Sequence, residues 1–280
     1  MTKSFGAVIV PCVLNDVESI TNLNATISEV PENLNWQVVA VIQGDAQIRQ
    51  LCLHNRASRN HTIVEAEPIG KWPAIWLGLN HVNAEAQWIA VFDGDAAFSA
   101  QGLSAVISPV ANNNAQHVVG QRDIPMLSSV DDLSSNTRIF IEAYFNTLVL
   151  LSLGQPCLTR YRGFDIQCGL QGFESSWLRT LARTPMPLYR GEALLFHKSI
   201  EAGVAVAPAT VTQRMKSQSS YRTHQIVAEL LGLDFVAGIS TETFESAVEA
   251  AANTYDKWIL DRIAFRFEIE ELVLRLVRSR

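Results

Sequence analysis

The sequence predicts an α/β fold in which a mostly parallel sheet is flanked by helices and followed by a helical C-terminal extension. Short, apolar, β-branched runs recur along the first half of the chain, as in strands that are buried on both faces. Segments with helical spacing separate these runs, and strands that alternate with helices form parallel βαβ units. We therefore predict one α/β domain over residues 1–220 and a helical extension over residues 221–280.

The elements of the first half follow in chain order. Strands are predicted at residues 5–13, 36–44, 61–67 and 88–95. Between them, helices are predicted from the cap at Asp16 to Ser28, over residues 47–58 and over residues 72–85. Asn15, Asp16 and Ser19 are residue types that cap a helix, which fixes the start of the first one.

The second half is less regular. A helix over residues 102–112 and a strand over residues 115–122 complete the α/β pattern. Residues 123–135, rich in Asp, Ser and Pro, predict a mobile loop, and a helix is predicted over residues 136–153. The last stretch, residues 255–280, mixes apolar and charged positions at helical spacing. Three interpretations stay open for it: a helix that covers the core, a dimer contact, or a helix on a membrane surface.

Composition excludes several classes of protein. The chain carries 22 basic and 28 acidic residues, which argues against a nucleic-acid-binding protein. The four cysteines form no CxxC pair, and the histidines have no metal-ligand spacing, so we interpret both as packing or surface residues. A P-loop, a GxSxG and a GxGxxG motif are absent. Without a secretory signal or an apolar span of about 20 residues, we expect a cytoplasmic protein.

Two carboxylates follow the strand at residues 88–92. Asp93 and Asp95 flank Gly94, whose missing Cβ lets a ligand approach the backbone closely. In parallel α/β sheets, ligands bind outside the carboxyl ends of the strands. Mg²⁺ and Mn²⁺ usually take one or two carboxylates together with substrate phosphates. The pair therefore indicates a metal-assisted phosphate site, although short polar residues also end strands for purely structural reasons.

Several motifs occur in one order along the chain: AVIVPCVLNDVESI, IGKWPAIWLGLNHV, QWIAVFDGDAAFSAQGL, HVVGQR, GFDIQCGLQGFESSWLRTL and GEALLFHKSIEAGVAVAPATVTQRMKSQSS. In this order the sequence resembles the family 2 glycosyltransferases of the GT-A fold, and within them the dolichol- and polyprenol-phosphate mannosyltransferase-like branch. The resemblance covers roughly residues 5 to 220. It implies a Rossmann-like GT-A fold and an inverting transfer of a sugar from a nucleotide-diphosphate sugar.

The resemblance also implies a donor site. Its nucleotide-sugar contacts are Pro11, Asp16, Gln43, Lys71, Asp93, Arg214 and Lys216. Asp93 and Asp95 are implied to hold Mg²⁺ or Mn²⁺. Gln43 replaces the aspartate that the family usually has; its amide both donates and accepts hydrogen bonds, so the identity of the nucleotide stays open. Structural roles also stay open: an N-cap for Asp16, a solvated side chain for Lys71 and a solvated turn for Arg214 and Lys216.

The acceptor end is predicted to be basic. Arg122 ends a strand at the sheet edge that carries the aspartates, and its planar guanidinium suits a phosphate. The resemblance implies that Arg122 and Arg138 face the acceptor phosphate. Glu192 and Asp165 are the candidates for a general base, which a hydroxyl acceptor needs and an ionised phosphate does not. Glu192 also suits a helix start for electrostatic reasons alone.

Two hypotheses about function follow. The first is a metal-dependent glycosyltransferase whose acceptor is a polyprenyl phosphate or a phosphorylated small molecule; a peripheral contact with the inner membrane face and a homodimer are both compatible with it. The second is a degenerate GT-A protein that binds a nucleotide-sugar or a partner without catalysis. The departures from the family pattern at Gln43 and Ala97 keep this second hypothesis open.

Overall fold

The computed structural model describes residues 5–31, 36–54, 61–123, 146, 149–150, 153–161, 163–183 and 191–214. The chain divides into two compact units, residues 1–123 with 168–215 and residues 124–167 with 216–280. The predicted division at residue 220 stays a prediction. The predicted extension, residues 221–280, lies outside the described residues, as do nearly all of the predicted loop at 123–135 and most of the predicted helix at 136–153.

The first unit contains a mixed, mostly parallel sheet, as predicted. Its strands are β1 (Gly6–Leu14), β2 (Trp36–Gly44), β3 (His61–Glu65), β4 (Trp88–Phe92), β5 (His117–Asp123), β6 (Leu170–Glu174) and β7 (Val206–Thr212). Their order in the sheet is β3-β2-β1-β4-β6-β5-β7. Strand β6 is antiparallel to β4 and β5, and the other neighbouring pairs are parallel.

Helices connect most of the strands. They are α1 (Val17–Ser28), α2 (Ala46–His54), α3 (Lys71–Leu79), α4 (Ala100–Ala111), α6 (Ser175–Leu181) and α7 (Gly191–Glu201) in the first unit, and α5 (Gln155–Arg160) in the second. The predicted cap of α1 is confirmed, because Asp16 Oδ1 accepts from Ser19 N at 2.8 Å and Ser19 Oγ accepts from Asp16 N at 3.1 Å. This reciprocal arrangement is a capping box.

Helix α3 is shorter than predicted. It ends at Leu79 rather than at residue 85, because a side chain of the neighbouring strand captures the backbone beyond it. Gln37 of β2 donates to the His81 carbonyl at 2.7 Å and accepts from Asn83 N at 2.8 Å. The Asn83 side chain then accepts from Glu85 N at 2.9 Å, which closes a turn that competes with the helix. Strand β4 also ends early, at Phe92, since the residues after it form a turn.

The two faces of the sheet are covered by different helices. Phe173 of β6 belongs to a buried cluster with Trp72 and Ile75 of α3 and with Ile9 of β1. Gly172 points the other way, where a Cβ would lie 2.4 Å from the Val106 carbonyl of α4. Adjacent residues of a strand face opposite sides, so α3 and α4 pack on opposite faces of the sheet.

His117 in β5 is fully buried and hydrogen-bonded at both ring nitrogens. Its ring stacks on Phe173 with a centroid distance of 4.4 Å. Nε2 lies 3.2 Å from Gln171 Oε1, which accepts only, so Nε2 carries the proton. Nδ1 then accepts from the Ser199 hydroxyl at 3.0 Å, and that oxygen accepts from Trp177 Nε1 at 2.9 Å. His117 is a packing residue, as predicted.

Acidification should destabilise the fold through His117. Burial lowers the pKa of His117 to about 4, from an ordinary value of 6.5. The unfolded chain therefore takes up the proton first, so the stabilisation is complete above about pH 6.5 and is lost as the pH falls towards about 4. Across that interval the free energy of unfolding should fall by about 3 kcal/mol. Urea unfolding at a series of pH values measures it.

The matched variants are His117→Gln and His81→Gln, because His81 is exposed. His117→Gln should remove this part of the pH dependence, whereas His81→Gln should keep it. An unchanged pH dependence in His117→Gln would show that another group is responsible.

Candidate active site

The sheet brings the predicted site residues to one edge. Except for β6, its strands run in one direction, so their carboxyl ends and the amino end of β6 meet there. Gln43 lies at the end of β2, Asp93 and Asp95 follow β4, Arg122 lies near the end of β5, and Gly169 precedes β6. Ligands of α/β sheets bind at such an edge.

Three charged side chains form what we term the acid–lysine cluster: Lys71, Asp93 and Glu192. Lys71 Nζ lies 2.8 Å from Asp93 Oδ1 and 3.1 Å from Asp93 Oδ2. The same nitrogen lies 2.6 Å from Glu192 Oε1. Glu192 Oε2 accepts from Trp72 Nε1 at 3.0 Å. The Lys71 ammonium thus joins the end of β4 to the starts of α3 and α7.

The charges in this cluster do not balance. Burial opposes the charge on Lys71, but Asp93 and Glu192 outweigh it and raise the pKa of Lys71. Burial would raise the pKa of Glu192, yet Lys71 and the Trp72 hydrogen bond hold that pKa below its ordinary value. Burial raises the pKa of Asp93, and the neighbouring Asp95 carboxylate adds to the rise against the pull of Lys71. Two carboxylates on one ammonium, with the Asp95 carboxylate beside Asp93, leave surplus negative charge.

The DGD turn, which we define as residues 93–97, is held from two sides. Gly94 N donates to the Pro11 carbonyl of β1 at 3.1 Å. Ala96 has φ +58°, a left-handed conformation that is rare for residues other than glycine, and its N–H donates to Thr26 Oγ1 at 2.9 Å. Asp95 Oδ1 accepts from Ala97 N at 3.0 Å, within the turn itself. Such over-determined, strained turns are common at functional sites.

Gly169 leaves room for the Asp93 carboxylate. A Cβ at residue 169 would lie 1.8 Å from Asp93 Oδ2 and 2.5 Å from Asp93 Cγ. A side chain at this position would therefore force Asp93 to move. Gly169 acts on the site only through the space that it leaves, which the sequence did not indicate.

Gln43 supports the fold of the site by hydrogen bonds to the backbone of residues 69–70. Its side chain is 2% exposed, and its Oε1 accepts from Ile69 N at 2.9 Å and from Gly70 N at 3.2 Å. Its Nε2 donates to the Gly70 carbonyl at 3.3 Å. Gly70, at φ +90°, precedes the first residue of α3, which is Lys71. Gln43 therefore positions Lys71, and its contact with a nucleotide stays a prediction.

The predicted arginines have different environments. Arg122 is buried in β5 and pairs in register with Val211 of β7. Arg214, just after β7, is exposed; its N–H donates to the Ala97 carbonyl of the DGD turn at 2.7 Å, and its guanidinium binds the Glu29 carboxylate. Arg214 therefore lies beside the turn, as a diphosphate contact would require.

Three predicted residues lie outside the described part of this unit. Asp165 belongs to the second unit, where it is fully buried. Arg138 and Lys216 lie outside the described residues. Their predicted roles stay predictions.

The DGD turn fits a divalent cation. Its carboxylates provide the hard oxygen ligands that Mg²⁺ and Mn²⁺ prefer, and the surplus negative charge around Lys71 would be offset by a cation. Within the residues that the structure describes, no three or more His, Cys, Asp or Glu side chains are arranged to hold a metal. Oxygens of a phosphate ligand and of water would have to complete the coordination.

Replacing Lys71 by methionine should destabilise the protein by about 3 kcal/mol, because Glu192 would keep a buried charge without its counter-ion. The side chain of Glu192 is only 9% exposed. Adding Glu192→Gln should recover most of the loss, since an amide oxygen still accepts from Trp72. Urea unfolding measures both changes. Lys198→Met is the control: its ion pair with Glu201 is exposed and should cost at most about 1 kcal/mol. A Lys71→Met protein as stable as the wild type would contradict this account.

Comparison with known proteins identifies the fold. No protein-family model and no curated protein sequence matches the chain. Glucosyl-3-phosphoglycerate synthase from Mycobacterium tuberculosis, in complex with Mn²⁺, UDP-glucose and phosphoglyceric acid, is 13% identical, with 86% of this chain and 82% of that chain covered and a TM-score of 0.56. The same enzyme with Mg²⁺ and UDP is 12% identical, with the same coverage and a TM-score of 0.57. A further mycobacterial protein is 17% identical, with 86% and 77% covered and a TM-score of 0.55.

At such low identity these similarities show the fold alone. The predicted GT-A, Rossmann-like fold is therefore confirmed. The assignment to the dolichol- and polyprenol-phosphate mannosyltransferase-like branch stays a prediction.

Proposed function

We propose that this protein is a glycosyltransferase that moves a sugar from a nucleotide-diphosphate sugar to a phosphate-bearing or hydroxyl acceptor. The observation that carries the proposal is the acid–lysine cluster beside the DGD turn, at the ligand-binding edge of a GT-A sheet. The structurally similar synthase binds UDP-glucose together with Mn²⁺, which supports a donor of the same class here.

The donor would bind across the DGD turn. Asp95, with Asp93 beside it, would hold Mg²⁺ or Mn²⁺, and such a cation supplies positive charge where the departing diphosphate becomes more negative. Arg214 would add a second positive group, because its backbone is tied to the same turn. Pro11, Asp16, Gln43, Lys71 and Lys216 complete the proposed nucleotide-sugar site.

The acceptor would approach the anomeric carbon of the sugar from the side opposite the departing diphosphate, in an inverting direct displacement. Glu192 is held as a carboxylate by Lys71 and Trp72, an arrangement that suits orienting an acceptor hydroxyl better than removing its proton. Asp165 remains the other candidate base. Arg122 and Arg138 would bind an acceptor phosphate, and the synthase complex with phosphoglyceric acid supports a small phosphorylated acceptor. A polyprenyl phosphate is the other acceptor of this chemistry.

Membrane contact and assembly are separate proposals. Among the described residues, no helix is long and apolar enough to span a bilayer. A cytoplasmic enzyme with a peripheral contact at the inner membrane face, or a homodimer, would use residues 255–280, which lie outside the described part of the chain.

A degenerate GT-A protein that binds a nucleotide-sugar or a partner without turnover is the second candidate. One observation favours it: the amide of Gln43, at the position where the family usually has an aspartate, is engaged by residues 69–70 of its own chain. Binding and product formation, measured on the same sample, separate the two candidates.

Thermal unfolding tests the proposal directly. UDP-, GDP- or dTDP-sugars should raise the unfolding temperature only in the presence of Mn²⁺ or Mg²⁺, because ligands that bind the folded state stabilise it by mass action. One nucleotide-sugar should give the largest shift, and its incubation with a phosphorylated acceptor such as phosphoglyceric acid, or with a polyprenyl phosphate, should transfer the sugar to that acceptor and release the free nucleoside diphosphate. The absence of any shift with all donors and metals would contradict the proposal. A shift without product would leave only the binding protein.

A further inference from the structure

We propose that Lys71 withholds Asp93 from the divalent cation in the nucleotide-free protein and releases it when a diphosphate binds. This inference rests on the proposed function and concerns the order in which that site is filled. It predicts that the metal and the nucleotide each bind more tightly when the other is present. Lys71 is the side chain that couples the two binding events.

The position of Lys71 beside Asp93 explains why Asp93 is withheld from the cation. Both carboxylate oxygens face the same ammonium, at 2.8 Å and 3.1 Å from Lys71 Nζ. Mg²⁺ binds a carboxylate oxygen at about 2.0–2.1 Å. A cation on either oxygen would therefore lie close to the ammonium, in a half-buried site where like charges repel more strongly than in water. While Lys71 stays in place, Asp93 is a poor metal ligand.

The ligands that remain are too few for a strong metal site. Asp95 is the other carboxylate of the DGD turn, and one of its oxygens already accepts from Ala97 N at 3.0 Å. No group of three potential metal-binding side chains exists within the described ranges. In the nucleotide-free protein the cation would depend mainly on Asp95, which predicts weak binding. Diphosphate oxygens would supply the missing ligands.

Lys71 has a second partner that can keep it in the site. Its Nζ lies 2.6 Å from Glu192 Oε1, and Glu192 is fixed by Trp72 at the other oxygen. The Lys71 side chain is 25% exposed, so a ligand can reach it. A phosphate oxygen makes a strong, charge-assisted hydrogen bond with an ammonium. The ammonium can therefore exchange Asp93 for the diphosphate and stay on Glu192, which frees Asp93 for the cation.

Mn²⁺ binding, followed by electron paramagnetic resonance or calorimetry, tests this exchange without measuring catalysis. The proteins are the wild type, Glu192→Gln, and the double variant Lys71→Met/Glu192→Gln. The double variant removes the ammonium without leaving the Glu192 charge buried and alone. Glu192→Gln is its matched control, because Lys71 still faces Asp93 there. Circular dichroism verifies that each variant is folded.

Without nucleotide, the wild type and Glu192→Gln should bind Mn²⁺ weakly, and UDP should tighten binding to the wild type at least about tenfold. The double variant should bind Mn²⁺ without UDP about tenfold more tightly than Glu192→Gln does, and UDP should then tighten Mn²⁺ binding by a smaller factor than in the wild type, because Asp93 is already available. GDP and dTDP replace UDP if the protein prefers either one.

One result overturns the inference alone: a double variant that binds Mn²⁺ no more tightly than Glu192→Gln does. This result can occur while the wild type still binds Mn²⁺ together with a nucleotide. A wild type that binds no nucleotide with or without Mn²⁺ overturns the proposed function itself, and the inference with it.

Discussion

Replacing Asp95 by asparagine should lower the rate of sugar transfer by about 100-fold or more, because the cation that offsets charge on the departing diphosphate would lose a charged ligand. The substitution is nearly isosteric, and an amide oxygen can still accept from Ala97 N, which preserves the turn. The unfolding temperature without ligands should therefore stay close to that of the wild type. The additional stabilisation by Mn²⁺ in the presence of a nucleotide should disappear.

Glu85→Gln is the matched control for Asp95→Asn. Glu85 is an exposed carboxylate ahead of the amino end of β4, at the opposite end of that strand from Asp93 and Asp95. The Glu85→Gln protein should keep both the activity and the metal-dependent stabilisation of the wild type. An Asp95→Asn protein that retains full metal-dependent stabilisation would remove Asp95 from the metal site.

Replacing Gly169 by alanine should lower activity by about 100-fold with little loss of stability, since displacing a catalytic-site group by about 1 Å can have this effect. The new Cβ would lie 1.8 Å from Asp93 Oδ2, so the carboxylate would have to leave its place beside Lys71. Steady-state kinetics measures the activity, and urea unfolding of the same preparations measures the stability.

A double-mutant cycle makes the prediction for Gly169 specific. In an Asp93→Ala background, Gly169→Ala should cost little further activity, because the clashing carboxylate is already gone. Gly102→Ala in α4 is the steric control: the nearest atom to its Cβ would be the flexible end of Leu170, at 3.3 Å. Additive losses for Gly169→Ala and Asp93→Ala would show that the glycine acts by another route.

Local sequence patterns were sufficient to predict most of the fold. The apolar run at residues 36–44 is strand β2 with those bounds, and the capping residues at Asp16 and Ser19 start α1 as expected. The GK pair likewise marks the start of α3 at Lys71. These features are encoded by neighbouring residues, through periodicity and capping, so they can be recognised without knowledge of the tertiary structure.

The contacts that define the site depend on residues far apart in sequence. Lys71 and Glu192, which are 121 positions apart, form an ion pair that no local pattern indicates. The hydrogen bond from Trp72 to Glu192 spans 120 positions, and no local pattern indicates it either. The early end of α3 has the same origin, because Gln37 of another element captures its backbone.

The motifs nevertheless indicated several residues that the structure brings together. Asp93, Asp95 and Lys71 were singled out from the sequence, and the structure places all three at one edge of the sheet. Gln43 was singled out as well; its amide binds residues 69–70, which the sequence did not indicate, and its contact with a nucleotide stays a prediction. A motif position indicates where a side chain lies, but its partners depend on the surrounding fold.

A crystal structure of the protein with UDP and Mn²⁺ is the most direct test of the central claim, with GDP or dTDP used if thermal unfolding favours either. We predict a metal ion that contacts the Asp95 carboxylate and the diphosphate at the carboxyl edge of the sheet, with Lys71 still on Glu192. A nucleotide bound elsewhere, or a diphosphate at this edge whose metal lacks Asp95, would contradict it.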